Sequence, residues 1–173
     1  RVNGAHGNIK EIEKHILVIK KQVSDAVILL DLPGNKVRTT NLIKPIKLQK
    51  GKEFTLLSCQ INYQHFYKYV KKGDDVWAND SVFKFTIQQA NEEHIVFLSE
   101  VGGELHNNKG LHVRGIHDDV PFFFDKDYRL IELANKNSVD FVGLSFVRNV
   151  EDIQLAREYV KKGIEIIAKV ETK

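Results

Sequence analysis

Lys169 and Glu171 stand two positions apart in the closing stretch IEIIAKVETK, after a run of aliphatic residues. In an extended strand, side chains at i and i+2 point to one side, so an ammonium and a carboxylate would share a face. That pairing suits chemistry on an anion held with a hard cation. The ammonium meets negative charge, and the carboxylate offers oxygen ligands. Two other apolar runs end in a similar way: AVILLDLPGNKVRTT carries Asp31 and Arg38 past its apolar part, and VDFVGLSFVRN carries Arg148. One polar strand end needs no function, because a strand leaving the core meets water. Three ends gathered at one rim of a parallel sheet point to a site for an anionic substrate and a divalent cation.

The elements that position these residues follow from periodicity. Ile9, Ile12, Ile16, Ile19 and Val23 fall at helical spacing, and Asn8 with Glu11 forms a capping pair, so a helix runs from Asn8 to about Ser24. The continuous apolar run AVILLDL then reads as a strand covered on both faces. After residue 120 the same grammar returns: a helix near 126–137, the strand VDFVGLSFV, a helix near 150–162 opened by Asn149 with Asp152, and the strand IEIIAKV. Strands alternating with helices predict βαβ units and a parallel sheet. Residues 35–119 differ, with short strands (EFTLLS, SVFKFTIQQ, HIVFLSEV) between turn signals such as QKGKE, KKGDD and VGGE. The expected organisation is an α/β segment at 1–34 and 120–173, interrupted by a β-rich module at 35–119. Three parallel strands are visible in this pattern, whereas a closed (β/α)8 barrel takes ~250 residues. With Arg1 first and no methionine, the 173 residues read as a piece of a longer protein.

Composition narrows the function classes. A content of 42% hydrophobic and 28% charged residues is that of a globular chain. A formal charge of +3 gives no reason to expect a nucleic-acid partner, and no apolar run reaches the roughly 20 residues of a membrane span. The single cysteine, Cys59, forms no internal disulfide, as in a reducing cytoplasm. His15, His65, His94, His106 and His117 show no metal-ligand spacing.

Six segments together resemble the pyruvate kinase family. RVNGAHG resembles its RxNxSHG, LLDLPGNKVRT its LDxxGPxIRT, and VWANDSVFKF the VYVDDGxxxL of its lid. GGELHNNKGLHVRG resembles GGxLxxxKGVNLPG, the run from Phe124 to Ile153 resembles LTEKDxxDLxFGxxxGVDFVAxSFVRxxxDV, and IIAKVET resembles IIxKIEN. The resemblance implies a partial (β/α)8 TIM-barrel segment with an inserted small all-β barrel, the lid. It implies magnesium-dependent (or manganese-dependent) phosphoryl transfer from phosphoenolpyruvate to ADP in glycolysis. The full-length protein would be a cytoplasmic homotetramer, and the segment alone would be inactive.

Laid on this chain, the resemblance makes Lys169 the catalytic ammonium and Glu171 a magnesium ligand. Arg1 and Arg148 would bind substrate. His6, Arg38 and Lys109 would face the nucleotide, and Asn3 and Asp31 would line a monovalent-cation pocket. Departures from the pattern matter as well. Ala5 and Leu32 replace a serine and a threonine, and Lys36 replaces a glutamate, the exchange that in the family accompanies independence from potassium. A tethered ammonium in that pocket would supply the missing charge, so potassium is not expected to be required. Gly4, Asn79, Ser81, His112, Val113 and Arg114 also depart from the family pattern. They keep open a degenerate, non-catalytic homologue, and a related magnesium-enolate lyase is the other alternative, disfavoured by the β insertion.

Overall fold

The computed structural model describes residues 1–116 and 119–171, so His117 lies outside the described residues. Among these the chain runs β1 (Val2–Asn3), α1 (Ile9–Gln22), β2 (Leu29–Asp31), β3 (Ile46–Leu48), β4 (Glu53–Leu57), β5 (Asp75–Ala78), β6 (Phe83–Ala90), β7 (His94–Ser99), β8 (Gly103–Leu105) and β9 (Leu111–Val113). It continues through α2 (Asp125–Asn137), β10 (Phe141–Leu144), α3 (Val150–Tyr159) and β11 (Glu165–Ala168). Two compact units result, Arg1–Asn35 with Pro121–Lys173 and Lys36–Val120. No helix of the described residues is long and apolar enough to cross a membrane.

In the first unit the strands lie in the order β1-β2-β10-β11, every neighbouring pair parallel. The sheet therefore holds one strand more than the three read from the sequence. β1 is two residues long and has no apolar run to announce it. α1 begins as its residues require: Asn8 Oδ1 accepts from the Glu11 N–H at 3.0 Å, and Glu11 Oε2 accepts from the Asn8 N–H at 2.8 Å. Ile12 and Ile16 are fully buried against Ile28 and Leu30 of the β2 segment, Val142 and Leu144 of β10, and Leu130, Ile131 and Ala134 of α2. Val23, the last apolar position of the predicted helical stripe, caps α1 and is half exposed. Lys20 donates to the carbonyls of Asn137 and Ser138 at 2.6 and 3.0 Å, placing a cation on the carbonyl end of α2.

β11 ends the sheet of the described residues: it pairs along one side, with β10, and Ile167 is 39% exposed.

The second unit is built of β-strands, with two short 3-10 helices at Ser58–Gln60 and Gln64–Tyr69. Its main sheet has the order β4-β7-β6-β5-β9, antiparallel throughout, with β3 and β8 paired separately. The strands alternate buried and outward positions, so that Val76, Phe85, Ile87, Ile95 and Phe97 form one apolar face. Phe54 stacks on Phe97 at 5.2 Å and meets Phe85 edge-on at 4.8 Å.

Candidate active site

The side chains of Asp31, Lys169 and Glu171 come together where the parallel strands of the first unit end. β1 and β2 pair Asn3 with Asp31, and the Gly4 N–H donates to the Asp31 carbonyl at 2.8 Å. This close approach explains the glycine: a β-carbon on Gly4 would sit 2.7 Å from both the Asp31 carbonyl oxygen and Leu130 Cδ1.

Asp31 is buried, and its carboxylate faces two cations. Arg1 Nε and Nη2 lie 2.7 and 2.5 Å from Oδ2, and Lys169 Nζ lies 2.7 Å from Oδ1. Oδ1 is shielded from solvent, and the Lys169 ammonium is its countercharge. Lys169 Nζ is also 3.9 Å from Glu171 Oε1, while Glu171 Oε2 accepts from the Phe146 N–H at 3.1 Å. The β11 ladder stops at Ala168. Beyond it the chain stays beside the exit of β10, because the Lys169 N–H donates to the Leu144 carbonyl at 2.9 Å and the Val147 N–H donates to the Lys169 carbonyl at 3.1 Å. Lys169 and Glu171 are thus aligned by backbone bonds past the end of the ladder.

Other residues singled out from the sequence are placed differently. Arg148 is held by Asp152, Nε to Oδ2 at 3.0 Å and Nη2 to Oδ1 at 2.8 Å, with its guanidinium 5.7 Å from the centre of the Phe122 ring. Burial pushes the Asp152 carboxyl up, but its Arg148 partners prevail and hold it below the usual carboxylate value. Asn3 Oδ1 accepts from the Ala5 N–H at 3.0 Å, and His6 is exposed.

A second set lies within the β unit. Lys36 Nζ is 3.5 Å from Asp80 Oδ1, and its stem occupies the space that a Gly110 side chain would fill. Arg38 pairs with Gly110 in a short antiparallel bridge, and its Nε is buried without a hydrogen-bond partner among the described residues. Burial draws the Arg38 guanidinium below the usual arginine value, opposed by the Asp80 charge. Lys109 is fixed through its backbone, its N–H donating to Thr39 Oγ1 at 2.9 Å and its carbonyl accepting from the Thr39 N–H at 2.9 Å. Asp80 sits in a turn in which Asn79, Asp80 and Ser81 all have left-handed backbones, at φ 52°, 53° and 70°.

Sequence reasoning gave no role to Asp127, Ser145 or Phe146, which support the rim. Ser145 Oγ donates to the Leu32 carbonyl at 2.5 Å, and Asp127 accepts from the Gly34 N–H at 3.1 Å. Among the described residues no group of three His, Cys, Asp or Glu side chains is placed to hold a metal. Glu171, partly exposed, suits a hard divalent ion of the kind that takes one or two carboxylates and completes its shell with water and substrate oxygens.

The family model described as the pyruvate kinase barrel domain matches residues 1–173. A pyruvate kinase of Thermotoga maritima is 33% identical over 190 residues, covering 100% of this chain and 41% of the relative. Plastidial pyruvate kinase 2 of Arabidopsis thaliana is 30% identical, covering 99% of this chain and 33% of that protein. The crystal structure of Cryptosporidium parvum pyruvate kinase superposes with a TM-score of 0.81 at 25% identity, over 99% of this chain and 41% of that one. The chain therefore spans well under half the length of these relatives.

Proposed function

The chain belongs to the pyruvate kinase family, and from that premise we propose that the complete protein transfers a phosphoryl group between phosphoenolpyruvate and ADP. The observation that carries this reading is the convergence of Lys169 Nζ on Asp31 Oδ1 at 2.7 Å and Glu171 Oε1 at 3.9 Å, where the parallel strands end. Asp31 orients the ammonium, which then meets the negative charge spread over the transferring phosphoryl group and the enolate oxygen of pyruvate. Arg1, with its side chain 61% exposed, keeps guanidinium surface for the substrate phosphate while bound to Asp31. Arg148 contributes positive charge from a fixed position, because Asp152 and Phe122 hold its guanidinium. Magnesium or manganese at Glu171 would supply Lewis-acid neutralisation of phosphate and enolate oxygens.

In the β unit, Arg38 and Lys109 are the groups for the nucleotide phosphates, and His6 of the first unit is the third nucleotide residue of the reading. Lys36 supplies a tethered positive charge, and Ala5 offers no hydroxyl to a bound cation. Turnover therefore needs no potassium. Turnover also belongs to the complete protein, since a second metal carboxylate and the rest of a barrel are required beyond these residues.

The test follows ATP formation from phosphoenolpyruvate and ADP by the complete protein, with potassium, with sodium, or with neither. The reading expects transfer at similar rates in all three. Transfer that vanishes without potassium would remove the role given to Lys36, and no transfer in a folded, magnesium-loaded protein would favour a non-catalytic homologue.

A further inference from the structure

Asp127 is fully buried, and the reaction scheme above gives it no task. Its Oδ2 accepts from the Phe124 N–H at 2.9 Å, at the start of α2, and its Oδ1 accepts from the Gly34 N–H at 3.1 Å, in the loop leaving β2. Capping alone does not explain a buried carboxylate, because Glu11 makes the equivalent bond for α1 from an exposed position. The second bond is the informative one.

Gly34, at φ 68°, lies flush against the turn after β10. A β-carbon there would come within 2.9 Å of Ser145 Cβ and 3.0 Å of Phe146 Cδ2. Phe146 holds φ 58°, a region that a bulky residue occupies only when its surroundings impose it. In that conformation its N–H reaches Glu171 Oε2 at 3.1 Å. The Ser145 hydroxyl ties the same turn to the Leu32 carbonyl. A line of contacts therefore runs from Asp127 through Gly34 and Phe146 to Glu171.

We propose that Asp127 is a positioning residue for Glu171: by holding Gly34 against Ser145 and Phe146 it maintains the left-handed turn whose N–H fixes the Glu171 carboxylate for a divalent cation. This rests on the reading of Glu171 as the metal carboxylate. Removal of a group that orients a metal ligand weakens metal affinity by about 10- to 100-fold.

The experiment measures Mn2+ affinity of the complete protein by titration calorimetry, without turnover, for the unmodified protein, Asp127→Asn, Glu171→Gln and the double variant Asp127→Asn with Phe146→Gly. Asp127→Asn should raise the dissociation constant about tenfold. Phe146→Gly should largely restore it, because glycine adopts the left-handed turn without external support. Unchanged affinity in Glu171→Gln would sink the functional reading itself. Weakening by Glu171→Gln with none by Asp127→Asn, or no rescue by Phe146→Gly, would overturn this proposal alone. Should Asp127→Asn fail to fold, hydrogen exchange of the unmodified protein decides: protected Gly34 and Phe146 amides support the latch, and free exchange at either overturns it.

Discussion

Two carboxylates of the first unit are governed by different forces. Asp31 lies between Arg1 and Lys169, whereas the buried Asp127 carboxylate accepts from two backbone N–H groups and feels the charge of Lys126. Burial dominates at Asp127 and pushes its carboxyl up to about 6, against the pull of the Phe124 and Gly34 N–H groups. The consequence for stability has a definite sign. Because the folded value exceeds the unfolded one, the folded protein binds more proton between about pH 4 and 6, and this contribution to stability falls as pH rises through that window. The shift corresponds to about 3 kcal/mol between the ends of the window. Thermal melts from pH 4 to 7 should show this downward slope in the unmodified protein relative to Asp127→Asn, and parallel curves would refute it. At this scale the proximity of Lys169 and Glu171 was legible, because a spacing of two between a cation and an anion after an aliphatic run is a pattern in the sequence. Asp127 was not: an acidic residue at the third position of a helix looks the same whether it caps from the surface or holds a neighbouring loop from inside.

Among the elements, α1 was read almost as it forms, since Asn8, Glu11 and the isoleucine stripe carry their own instructions. The short strands β1, β3, β5, β8 and β9 went unread, because two to four residues are too few for a period to show and pairing with distant partners defines them. The turn at Asn79–Ser81 yields a prediction of its own. Ser81 occupies φ 70°, where the family pattern has glycine, and a β-carbon there costs roughly 1 kcal/mol. Ser81→Gly should therefore raise the melting temperature by about 2–4 °C for a chain of this size, and a lower melting temperature would show that the turn is not strained. Asn8→Ala should act in the opposite direction, costing about 1 kcal/mol by removing the cap on the Glu11 N–H; calorimetry that finds no loss would count against the capping pair.

For the molecule as a whole, the alternation of strand and helix, interrupted by turn-rich short strands, was enough to foresee an α/β segment with a β insertion. The account stands on the ammonium of Lys169, held by one carboxylate beside another at the ends of parallel strands. Its most direct test is the rate of ATP formation from phosphoenolpyruvate by the complete protein carrying Lys169→Met, a change that keeps length and removes charge. The account predicts a loss of roughly 100-fold or more in kcat, as for deletion of a group that stabilises transition-state charge, with Mn2+ affinity preserved. A variant that turns over at the unmodified rate would contradict it.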